Sequence, residues 1–133
     1  MTGADIIGAL LCADLTEADP VPADRIKEDR LPDGITLPAL LVRTTSSVDR
    51  QVLMRGPLVR RTDRISVTVR AASVKDRKAA IGWVRRRCAG LTGDIAGALR
   101  VSILTAGLGP SLNGPGNSFE QTQDFRVSWD AED

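Results

Sequence analysis

The chain contains no histidine, and that narrows the chemistry open to it. Without imidazole there is no Ser-His or Cys-His nucleophile pair, no ligand of the kind zinc most often takes, and no usual general base near neutral pH. Cys12 and Cys88 remain as candidate nucleophiles or ligands. Each falls on the apolar face of an expected helix, which marks it as a small buried hydrophobe. The run Ala106 to Asn117 holds four Gly and two Pro. It lacks the Gly-Lys-Ser/Thr ending of a phosphate-binding loop and opens no evident helix, so a loop is expected there, of a length that functional loops reach, but not a phosphate cradle. Carboxylates are numerous, but no pair sits in an apolar setting that would push two pKa values apart. The expectation is a protein that is not an enzyme, with no catalytic residues, no cofactor and no metal.

What the charged residues do offer is contact. Residues 1 to 24 carry five acids and no base, residues 50 to 100 carry thirteen bases against three acids, and residues 120 to 133 carry five acids against Arg126. A net charge of +1 hides this order. Such segregation fits nucleic-acid contact by the basic part, or pairing of one part with another within a subunit or between neighbours. A solvated surface is the plainer reading of most of these residues taken singly.

These residues must be held by secondary structure, and the clearest pattern lies in Asp63 to Leu91. Ile65, Val67, Val69 and Ala71 alternate with polar residues, the period of a strand with one buried face. From Ser73 the period changes. Val74, Ile81, Val84, Cys88 and Leu91, with Ala80 beside them, form one stripe at 100° per residue and predict an amphipathic helix. Ser73 is its expected N-cap, Asp76 lies at its positive end, and Gly90 or Gly93 closes it.

Elsewhere the signals are shorter. Ile6, Ile7, Leu10 and Leu11 predict a short N-terminal helix, ended by Asp19-Pro20-Val21-Pro22. Arg25-Ile26-Lys27 reads as a brief strand and Leu31-Pro32-Asp33-Gly34 as a turn. Ala39 to Val42 is an apolar run suited to a central strand buried on both faces. Arg43 to Arg61 is polar, turns at Arg55-Gly56-Pro57, and reads as a β-hairpin longer than the core needs. Leu99 to Thr105 and the alternating Phe119 to Asp130 complete the strands. The fold class is α+β: a mostly antiparallel sheet with one long helix and a short N-terminal helix packed on one face, and a projecting β-hairpin arm. At 133 residues, a single domain spanning 1–133 is expected, its core built from aliphatics because aromatics are only 3%. No apolar run approaches the ~20 residues that span a bilayer and the N-terminus lacks a basic signal flank, so a soluble intracellular protein is expected.

In this order the segments resemble a known family, the small tail-completion or tail terminator proteins of tailed bacteriophages and phage-like particles. The resemblance rests on the short first helix, Asp24-Arg25-Ile26, Leu31-Pro32, Leu37 to Val42, Gly56-Pro57-Leu58, Asp63 to Ala71, the Ala- and Arg-rich helix, and the closing Asp124 to Trp129. It implies a structural virion protein of the tail or neck, made in the bacterial host cytoplasm. It further implies a homo-oligomer, a hexameric ring that caps the tail tube protein, terminates tail assembly and meets a head-completion or connector protein. DNA would touch the lumen only passively, and no membrane is involved. The alternatives are a head-tail connector or neck protein of similar fold, and a nucleic-acid-binding module served by the basic helix.

Interface residues are expected in three places. Trp83 lies roughly 120° from the centre of the apolar stripe, so it is expected to be partly exposed until a neighbouring subunit covers it. Arg50, Met54, Arg55, Arg60 and Arg61 cluster on the arm and are expected to reach another subunit or the tube. Arg85, Arg86 and Arg87 are expected beside Asp130, Glu132 and Asp133, or Asp14 and Glu17, of the next subunit.

Overall fold

The computed structural model describes residues 1–132. The chain runs α1 (Gly3–Cys12), β1 (Ile26–Glu28), β2 (Ala39–Arg50), β3 (Leu58–Ala71), α2 (Val74–Cys88), β4 (Thr92–Ile95), β5 (Ala98–Leu108), β6 (Leu112–Asn113) and β7 (Phe119–Glu132). The seven strands form one sheet in the order β1-β2-β3-β7-β5-β4, with β6 pairing to β7. Only β1 and β2 are parallel; the rest is antiparallel.

The alternation read in Ile65 to Ala71 sets the whole arrangement. β3 and β7 pair without a break from Leu58 opposite Glu132 to Ala71 opposite Phe119. Odd-numbered residues of both strands therefore face one side, where Ile65, Val67, Val69, Phe125, Val127 and Trp129 are buried with Leu40 and Val42 of β2. Even-numbered residues face the other side and bond across the pair, Thr62 to Ser128 at 2.8 Å and Thr68 to Thr122 at 2.9 Å.

Both helices cover the odd face. α2 begins where expected, with the Ser73 hydroxyl accepting the Asp76 N–H at 3.1 Å, and turns away at Gly90, whose φ of 77° suits a residue without Cβ. Its inner stripe is Ala80, Ile81, Val84 and Cys88. Arg77 is buried in the same stripe, a residue the apolar pattern could not flag, while Val74 is exposed. α1 opens on a reciprocal cap between Thr2 and Asp5 and buries Ile6, Ile7 and Leu11. Its outer side leaves Cys12 exposed, contrary to the buried position expected, because one more residue carries the helix round to solvent.

Three further boundaries differ from the sequence reading. β4, with too few apolar residues to signal itself, was not expected. β5 runs through Leu108 and β6 occupies Leu112–Asn113, so part of the glycine-rich segment is strand, leaving a tight turn at Pro115–Asn117. The arm is not a free two-stranded hairpin: β7 accompanies β3 as far as Leu58, and it is β2 beyond Val42 that stands at an open margin, since β1 reaches only Leu40 to Val42.

Candidate assembly interface

The arm is built as a rigid lever. β2 and β3 pair from Ala39 opposite Arg70 to Arg50 opposite Arg60, with a bulge at Thr45 whose hydroxyl donates to the Arg64 carbonyl at 3.1 Å. Arg61 Nε donates to Asp49 Oδ1 at 2.6 Å, tying the two strands together. Arg60 Nη1 donates to the Arg100 carbonyl at 2.6 Å and to Asp130 Oδ1 at 3.2 Å, fastening the arm's base to β5 and β7. Two of the five arm residues expected at an interface are thus bracing the arm itself. Arg50, Met54 and Arg55 stand at its end, and with them Val52 and Leu53 are exposed, Leu53 as fully as in an extended chain. Together these aliphatics form an uncovered apolar cluster at the arm's end. Val52 and Leu53 were not singled out in the sequence; their place just before the turn at Arg55-Gly56-Pro57 is the signal that could have found them.

Trp83 is a correction. It is 5% exposed within the single chain, covered by the segment that follows α1. Its indole N–H donates to Asp19 Oδ1 at 3.1 Å, and the Arg87 guanidinium lies 5.1 Å from the ring centroid. Arg87 also pairs with Asp19 at 3.6 Å and donates to the carbonyls of Leu10 and Ala13. α1 has no basic residue in its last turn, so Arg87 of α2 supplies the cation that its C-terminal carbonyls favour. The helical wheel missed this because it treats everything off the stripe as water, whereas Thr16 to Val21 closes over that face.

Arg87 therefore holds the chain's own elements together rather than waiting for a neighbour. Arg85 donates to Gln123 Oε1 at 2.8 Å, and Arg86 is exposed. Asp130 is likewise taken, lying between Arg60 and Arg100 at 3.2 Å from each. Glu132, Asp14 and Glu17 are exposed, and Asp133 lies outside the described residues. Much of the charge segregation along the chain is resolved by the β3·β7 pairing: Arg60 with Asp130, Arg64 with Asp124 at 2.9 Å and Arg70 with Glu120 at 3.1 Å. Pairs this open to solvent contribute only about 0–1 kcal/mol each, so they set register more than stability.

Burial pushes the Cys88 thiol up to about 12, which keeps it protonated at neutral pH. The Cys12 thiol is also raised by partial burial, against the opposing pull of Arg87. Among the described residues, no group of three or more Cys, Asp or Glu is placed to hold a metal ion, and no helix is long and apolar enough to cross a membrane.

Asp19 is held below its ordinary 3.8, first by the Thr16 N–H, and further by the Trp83 indole and Arg87. A carboxylate depressed on folding stabilises the protein above its unfolded pKa and loses that effect as pH falls through the lower folded value. Asp19→Asn is therefore expected to lower the melting temperature at pH 7, with the gap to the natural protein closing below about pH 4. Parallel melts at the two pH values measure it. A gap that persists at low pH would show that the effect is not the carboxylate's charge.

No protein-family model matches the chain, and no curated protein does. The architecture does have a counterpart among solved structures. A chain of the "Virion of native gene transfer agent (GTA) particle" has a similar fold, with a TM-score of 0.68 over 97% of this chain and 95% of that chain. The two share 13% sequence identity, so the likeness is one of fold.

Proposed function

We propose that this protein is a structural component of a phage-like virion, a tail-completion protein whose copies form a closed ring, hexameric by the family resemblance, on the end of the tail tube. The ring stops tube growth and offers its other face to a head-completion or connector protein. What carries this reading is the fold shared, end to end, with a chain of a gene transfer agent virion. The exposed apolar end of the arm supports it, since a side chain like Leu53 has use only when another surface covers it. In such a protein the working parts are shape and contact, and no catalytic step is assigned. A neck component of the same fold is the second reading, favoured by the same likeness.

Mass in solution, by light scattering, separates these readings when measured alone, with tail tube protein and with a head connector. A tail-completion ring forms a cyclic assembly that binds the tube end and arrests its elongation. A neck component binds the connector and leaves tube growth untouched. A protein that stays monomeric and binds duplex DNA with a steep salt dependence would overturn both in favour of the nucleic-acid reading.

Replacing Gln51–Gly56 by Asn-Gly is expected to leave the melting temperature within a few degrees, because none of the residues removed belongs to the buried core and Arg60, Arg61 and the β7 pairing remain. Tube capping is expected to be lost. An unfolded truncation would place the arm's end in the core instead.

A further inference from the structure

On the outer side of α1, against β1 and β2, lies a groove of about 250 Å3. It is lined by Ala4, Gly8, Ala9 and the exposed residue Cys12 from α1, and by Ile26 of β1 and Val42 of β2. A Cβ added at Gly8 would meet nothing within 4 Å, so the space beside the helix is open. A dry cavity of about 150 Å3 accommodates a benzene, so this one has room for one or two aliphatic side chains.

The groove's edge is acidic. Asp5 and Glu28 line it together with Lys27, and Asp29 follows directly. Partial burial, and then the carboxylates of Asp5 and Asp29, raise the Glu28 carboxyl, so Glu28 stands in a negative field. The arm's end is its complement: Leu53 and Met54 uncovered, and no acid anywhere between Arg50 and Arg60. The same molecule cannot join the two. β2 runs from Val42, a wall of the groove, through the bulge at Thr45 to Arg50, roughly 25 Å away at ~3.3 Å per residue, and its pairing with β3 on both sides of the bulge prevents it from folding back.

We propose that the groove between α1 and β1 receives the arm of a second copy of this chain, Leu53 and Met54 entering beside Gly8 and Cys12 while Arg50 is set against Glu28. Knob and hole on different surfaces of one subunit make a head-to-tail contact, the kind that closes into a ring when the rotation allows. The inference rests on the ring reading and names the surface that closes it.

Cys12 supplies the test. Leu53→Cys places a thiol on the knob of a chain that already has one in the hole. Both positions are exposed, so the substitution leaves the core intact. Mild oxidation of the Leu53→Cys protein is expected to convert most of it to disulfide-linked dimers and higher multimers on a non-reducing gel, and Cys12→Ser in the same chain is expected to abolish them. Gly8→Leu, which fills the groove from within, is expected to weaken self-association tenfold or more with no loss of melting temperature. Arg50→Glu is expected to weaken it similarly, and Glu28→Arg in the same chain to restore it.

Cross-links that survive Cys12→Ser join arm to arm and overturn the proposal. Full-mass rings without a Cys12-dependent cross-link overturn it while leaving the ring reading in place, and point to the tube as the arm's target. A natural protein that is monomeric at every concentration, alone and with tube protein, overturns both.

Discussion

Trp83→Ala is expected to destabilise the single chain by about 3–5 kcal/mol, the range for removing a buried aromatic ring. The melting temperature should fall by roughly 10 °C or more. The ring is 5% exposed and sits where α2 meets the segment behind α1, so truncation opens a cavity and leaves the Asp19 carboxylate without its indole donor. Trp83→Phe separates the two effects. It keeps much of the ring volume and the contact with Arg87 but loses the N–H, and a loss of about 1–2 kcal/mol is expected. Urea melts of the three proteins decide the matter. Should Trp83→Ala melt like the natural protein while failing to assemble, the tryptophan would belong to an interface after all, and its burial within one subunit would have no energetic weight.

The second large effect is expected at the contact between α1 and β3. Asp63 is buried, and its Oδ2 accepts the Gly3 N–H at 2.9 Å, anchoring the positive end of the helix to the sheet. Asp63→Ala orphans that N–H and is expected to cost about 1.5–3 kcal/mol, the range for hydrogen bonds to charged groups. The other oxygen, Oδ1, is buried without a partner among the described residues, which offsets part of the carboxylate's gain. Asp63→Asn keeps one acceptor, removes that buried charge, and is expected to cost below about 1 kcal/mol.

From the helix side, a Cβ at Gly3 would come 2.8 Å from Asp63 Cβ and 3.1 Å from Ile65 Cδ1. Gly3→Val is therefore expected to destabilise by about 1–3 kcal/mol through overpacking, although valine is otherwise tolerated in a helix's first turn. Chemical denaturation of the three variants gives the ordering directly. An Asp63→Asn protein as unstable as Asp63→Ala would show that the charge, and not the acceptor, secures the helix.

Some of this molecule was legible because the relevant forces act between near neighbours in sequence. Period-two alternation in Ile65 to Ala71 and in Phe119 to Trp129 identified the two strands that became the centre of the sheet, and a Ser73 cap with a stop at Gly90 or Gly93 identified α2. Alternation and capping are local steric and hydrogen-bonding rules, so they survive whatever the rest of the chain does. β4 carried no such pattern, and the glycine-rich segment concealed the end of β5 because an edge strand does not need apolar side chains to pair its backbone.

The candidate site divides along the same line. That an arm of Arg and aliphatic residues exceeded the needs of the core could be read from Arg43 to Arg61 alone. Which of its residues reach outward was decided by long-range pairing: Arg60 found Asp130 and Arg61 found Asp49, leaving Leu53 and Met54 uncovered. Trp83 and Arg87 show the limit most plainly. Their wheel positions predict exposure, yet Asp19, 64 residues from Trp83 in sequence, lies against both. Strand period, helix face and net charge order are set by the chain's own local chemistry. Which charges are spent inside one subunit and which groove stands open for another are set only when distant segments meet, because a hydrogen bond of about 3 Å depends on where both partners end up and not on either sequence by itself.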